Sequence, residues 1–173
     1  MILGLSIATF TTLHVIITLV AIVSGLVVVV GMLRGERMSG TTVLFLVTTI
    51  LTSLTGFLFP IHGFTPALGT GIVSSILLAL ALLALYGKHL EGRWRWVYVV
   101  CAVMALYLNV LVLIVQSFEK VALLNPLAPV VGPPFAEPTN THFVAAQAVA
   151  LVLFVLAGIA AVVRFRPAKR LAI

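Results

Sequence analysis

Charge is what this chain most lacks. Only 8 % of its 173 residues are Asp, Glu, Lys or Arg, there is no Asp at all, and the acids reduce to Glu36, Glu91, Glu119 and Glu137. A soluble domain carries roughly a quarter charged residues, so a water-soluble fold is excluded. The single cysteine, Cys101, lies in an apolar run, which rules out a disulfide framework and a cysteine-based metal site. Also missing are a Gly-rich phosphate loop, a Ser nucleophile in an elbow with a nearby His, and an acid inside any apolar run. These absences leave no catalytic residue set to assign, and an ion- or proton-driven carrier is disfavoured for want of an intramembrane ionisable group.

What is present is hydrocarbon, at 62 % of residues. No charged residue occurs over 1–33, 38–87, 96–118 or 138–163. A spanning helix needs ~20 apolar residues, so these stretches predict an all-α polytopic membrane protein, a bundle of five transmembrane helices over about 13–33, 41–59, 67–86, 96–117 and 142–163. Residues 1–12 are surplus to the first span, and the N-terminal stretch lacks the positive region of a signal peptide. Pro60 ends the second span, and the loop 118–141 holds Pro126, Pro129, Pro133, Pro134 and Pro138, a density that forbids regular helix there. Nine of the ten Lys and Arg residues fall in clusters at Arg34, Lys88 and Arg164, with Lys120 the exception. Five spans put all three clusters on one side, the positive-inside pattern, with the N-terminus outside and the C-terminus in the cytoplasm. A four-span arrangement would split them. The formal charge of +6 sits in short turns rather than along a groove, so nucleic acid is not an expected partner.

Polar residues in a bilayer are costly and mark the protein interior. Thr11, His14, Thr18, Ala21 and Gly25 share one helical face, as do Thr48, Thr52 and Thr55, with Ser53 nearby; Gly69, Gly71 and Ser75, and Ala146, Ala150, Ala157 and Ala161, form small-residue faces suited to helix packing. Asn109 lies mid-span with Gln116 two turns on, and both are expected to point inward. They would serve either as interhelical glue, with Gln147 as a partner, or as contacts to a quinone carbonyl or polar headgroup. His14, His62 and His142 come from three segments, and five spans bring all three to the outer boundary, while His89 is cytoplasmic. Imidazoles at one depth could ligate zinc, copper or one haem, with Glu137 as a further ligand. The bland alternative is three amphipathic interface residues, because no pair has ligand spacing within one helix.

A resemblance accompanies these residues. Gly56, Phe57, Leu58, Phe59 and Pro60 with Thr65 and Pro66, then Trp94, Arg95 and Tyr98, then Asn109, Val112, Gln116, Phe118 and Lys120, Leu127, Ala128 and Pro129, Pro133, Pro134 and Phe135, and finally Gln147, Arg164, Phe165 and Arg166 resemble a family of small uncharacterised bacterial inner-membrane proteins. It covers about 40–166 and is most specific over 109–135. The family pattern has an acid before the paired prolines where this chain has Val131 and Gly132, with Glu137 the nearest acid. The resemblance implies inner-membrane topology and no particular chemistry.

The sequence therefore points first to an accessory or structural subunit of a membrane assembly, in contact with lipid and with other subunits or a second copy. The alternatives are a redox or metal-handling protein that binds one haem, copper or quinone at the outer face, and a small-solute transporter.

Overall fold

The computed structural model describes residues 1–60, 65–127 and 140–166. Among them the chain is helical: α1 (Ile7–Leu33), α2 (Ser39–Phe57), α3 (Pro66–Leu82), α4 (Trp94–Lys120) and α5 (Thr141–Arg164). All five, with the turn after α3 counted as part of it, are long and apolar enough to cross a membrane, the makeup of a multi-pass membrane protein.

The helix ends follow local chemistry more closely than charge counting does. α1 starts near residue 7 rather than 13 because Ser6 caps it, its hydroxyl accepting from Thr9 N–H at 3.1 Å. At ~1.5 Å per residue its 27 residues run to about 40 Å, longer than the ~30 Å hydrocarbon core. It ends at Gly35 (φ +78°), where Glu36 N–H reaches Gly31 O (2.9 Å) and Gly35 N–H reaches Met32 O (3.0 Å). This paired closure needs the left-handed conformation that glycine adopts without a Cβ penalty. α3 opens on Thr65 as N-cap with Pro66 in the first turn, where a missing N–H costs nothing, and closes through one π turn at Leu83–Gly87. α4 continues three residues past Ser117, because the first proline of the loop is Pro126 and nothing before it blocks helix.

Successive helices run antiparallel, and α4 is the hub, packing on α1, α3 and α5. Gly25 of α1 lies against Leu106 of α4 and Phe45 of α2, at the middle of a core that includes Leu46, Val99, Ala102 and Ala105. The Phe10, His14 and Phe59 side chains gather at one end of the bundle, with Phe118 against Phe143. Gly35, Arg95, Arg164 and Phe165 meet at the other. α5 is peripheral: 6 % of its apolar span is buried, against 50 % for α4. It turns Ala150 and Ala161 inward, the small-residue face read from the sequence. It is pinned at both ends by aromatic contacts, Phe143 to Phe118 (centroids 5.7 Å apart) and Phe165 to Tyr98 (6.0 Å). Arg95 adds a guanidinium hydrogen bond to the Phe165 carbonyl.

Candidate functional site

The polar faces of α1 and α2 meet and form a ladder. His14 Nδ1 is 2.7 Å from Thr55 Oγ1, and one turn deeper the hydroxyl oxygens of Thr18 and Thr52 are 3.3 Å apart. Each threonine also donates to a carbonyl one turn back in its own helix: Thr18 to His14 O (2.8 Å), Thr52 to Thr48 O (2.9 Å) and Thr55 to Leu51 O (2.6 Å). Such bonds let a hydroxyl sit in a helix without an unpaired hydrogen.

That pattern assigns a tautomer to His14 when the Thr55 hydrogen stays on Leu51 O, the shorter of its two contacts at 2.6 Å against 2.7 Å. The Thr55 oxygen then accepts from the ring, so that in the neutral imidazole Nδ1 carries the hydrogen and Nε2 carries the lone pair. Phe59 holds the ring edge-on at 5.4 Å, and the buried Phe10 in turn holds Phe59 at 5.2 Å. The α2 backbone passes beside the ring at Gly56, where a Cβ would meet His14 Cε1 at an ordinary contact distance of 3.7 Å. His14 is thus a half-buried, oriented ring with its free acceptor on Nε2, the arrangement in which a histidine accepts a hydroxyl hydrogen or ligates a metal. Thr55→Val is expected to release this tautomer. Nitrogen NMR of ring-labelled protein should show Nδ1 protonated in the natural chain and a shift toward Nε2–H in the variant. The stability loss should stay near the ~0.6 kcal/mol typical of such intramembrane bonds.

The other predicted residues distribute as follows. Asn109 is buried, and its Nδ2 has no partner. Gln116 is half-buried and donates along its own helix to Glu119 Oε2 at 3.3 Å. Gln147 donates to Leu111 O at 3.3 Å instead of meeting Asn109 or Gln116, and its Oε1 is buried without a partner. His142 is exposed in the first turn of α5. His62 and Glu137 lie outside the described residues. Among the described residues no three His, Cys, Asp or Glu side chains stand close enough to share a metal ion. Among the described members of the predicted set, His14 is the one held by a side chain of another helix within an aromatic frame.

Sequence reading passed over Phe10 and Phe59, although Phe10 stands four residues before His14 on the same helical face and Phe59 follows the end of α2 four residues after Thr55. It also took Ser75 for the inward serine of α3. Ser74 is the buried one, with an unpartnered Oγ. The three-residue and four-residue steps leave that choice open until a neighbour fixes the rotation of the helix.

The fold defines a five-helix multi-pass membrane protein with one aromatic-framed histidine between its first two helices. No protein-family model, no curated relative and no solved structure matches the chain.

Proposed function

We propose that this chain is a non-catalytic subunit of a bacterial inner-membrane assembly and that it joins the assembly through the outer face of α5. The orientation in this reading has the His14 end outside and the arginine end in the cytoplasm, as the resemblance to small bacterial inner-membrane proteins implies. The observation that carries it is a seam on α5. His142, Ala145, Val149, Val152, Leu156, Ile159 and Val163 recur in alternating steps of three and four, and the five aliphatic ones from Val149 to Val163 are 55–62 % exposed. Such a repeat keeps one face toward a partner helix over its whole length, and nothing else among the described residues covers it.

The test is a cysteine scan in native membranes, in a Cys101→Ser background, along residues 148–160. Oxidative cross-linking to a partner helix should peak at Val149, Val152, Leu156 and Ile159. Cross-links of uniform low yield would sink the proposal, and a band at twice the chain's mass would make the partner a second copy.

A second reading is favoured by the oriented ring of His14, with the Nε2 lone pair that its contact to Thr55 assigns. In it the chain is a redox or metal-handling protein that holds one haem, copper or quinone at the outer face through His14, His62 and His142, with Glu137, Asn109 and Gln116 nearby. It requires a Soret band, stoichiometric metal or one extractable quinone per chain in the purified protein that His14→Ala abolishes. Protein free of haem, metal and quinone as isolated from its native membrane contradicts it.

A further inference from the structure

Between α4 and α5 runs an open apolar groove of about 320 Å³. Val100, Val103 and Met104 form one wall, and Phe154, Gly158 and Ile159 form the other. Along α5 it extends from Leu151 to Val163, about 18 Å at ~1.5 Å per residue. That is close to the ~15 Å of hydrocarbon in one leaflet, half the core thickness.

One end of the groove opens onto cations. Four and seven residues before Val100, on the same face of α4, come Trp96, 52 % exposed, and Arg93, also exposed. On the other wall, Arg166 follows the last turn of α5 and is exposed. Arg95 is not free in the same way, since its guanidinium is engaged by the Phe165 carbonyl. The described residues at this end of the bundle include Arg34, Arg37, Lys88, Arg93, Arg95, Arg164 and Arg166, against Glu36 and Glu91 alone. A hydrocarbon slot one leaflet deep, with an exposed indole and two exposed guanidiniums in the turns that continue its walls, is complementary to one kind of molecule.

We propose that this groove is a binding site for a single anionic phospholipid, its acyl chain lying between α4 and α5 and its phosphate held by Arg93 and Arg166. Trp96 sits at headgroup depth, where indoles concentrate, and guanidiniums grip phosphate oxygens in pairs. A zwitterionic lipid would bring its own cation into an already positive site, so net negative charge is the recognised feature. The site goes beyond the assembly reading and shares only Ile159 and Val163 with the α5 seam.

The experiment is native mass spectrometry of the delipidated full chain, titrated in detergent with phosphatidylglycerol or phosphatidylcholine of identical acyl chains. One phosphatidylglycerol should remain bound per chain at concentrations where phosphatidylcholine does not. Arg93→Gln combined with Arg166→Gln should weaken retention about 25-fold, roughly fivefold for each cation removed. Gly158→Leu should also weaken it at least fivefold by filling the slot. The backbone admits that change, because a Cβ at Gly158 meets only Val103 Cγ1 at an ordinary 3.5 Å. Both arginines are exposed, so their variants fold even if the leucine variant does not. Equal retention of the two lipids, unchanged binding in the double variant, or a lipid-free dimer whose partner helix fills the groove would each overturn the site. The seam cross-links at Val149, Val152 and Leu156 do not depend on any of these outcomes.

Discussion

Gly25→Val should cost about 3 kcal/mol, the upper part of the range for overpacked cores. An ideal Cβ on Gly25 would lie 2.6 Å from Leu106 Cδ1 and 2.8 Å from two atoms of the Phe45 ring, well inside contact distance. Leu106 is 0 % and Phe45 1 % exposed, so neither has free space to retreat into. Replacing a mid-helix glycine contributes a countervailing gain of about 0.5–1 kcal/mol, too small to offset the clash. Reversible unfolding in mixed micelles would measure the loss, and a second substitution identifies its cause. Leu106→Ala alone should cost about 2–5 kcal/mol through the cavity it leaves. In the Gly25→Val background it should cost far less, because the new side chain occupies that cavity. Additive losses would mean that the three helices do not meet as closely as Gly25 requires.

Phe165→Ala is expected to have the second large effect, about 3–4 kcal/mol, within the range for a buried phenylalanine. The residue follows the last turn of α5, is 2 % exposed, packs on Tyr98 and offers its carbonyl to Arg95. Since α5 buries few other large side chains, losing this pin should free the arginine end of α5 while α1 to α4 stay packed. A disulfide between cysteines placed at Val103 and Gly158 in a Cys101→Ser background would report it, since a Cβ at Gly158 meets the Val103 side chain at 3.5 Å. Cross-linking should be efficient with Phe165 present and fall sharply with alanine. Phe143→Ala acts on the opposite end of α5 and should leave this disulfide intact. If it abolished the disulfide as well, α5 would be docking as a single rigid element rather than at two separate points.

The number and placement of the helices were legible because the membrane imposes a coarse rule. Every backbone group must be paired within the hydrocarbon, so long uncharged runs fold as helices whatever their side chains. The inward faces were legible for a related reason: Thr18 and Thr52 carry hydroxyls that gain from a second helix, and Ala21 and Gly25 are small enough to let helices approach. Other features depend on tertiary neighbours. The tautomer of His14 depends on Thr55, 41 residues away and committed to its own helix. Phe165 follows the last apolar turn and reads as an ordinary interfacial aromatic until Tyr98 and Arg95 are seen around it. Gln147 offers a carboxamide hydrogen to Leu111 O, a mid-helix carbonyl whose second lone pair no residue pattern singles out. The α5 seam was present in the spacing, but an apolar stripe on an apolar helix has no contrast. Only its exposure in the folded chain separates it from the inward stripe of Ala150 and Ala161.

Everything rests on an odd number of crossings that carry the His14 end and the arginine end to opposite faces of one bilayer. The direct measurement is labelling by a membrane-impermeant maleimide in a Cys101→Ser background, with single cysteines at Leu3, 77 % exposed before α1, and at Arg166, exposed after α5. In sealed membrane vesicles of uniform orientation, one position should react at once and the other only after permeabilisation. Simultaneous labelling of both from the same side would contradict the five-span fold.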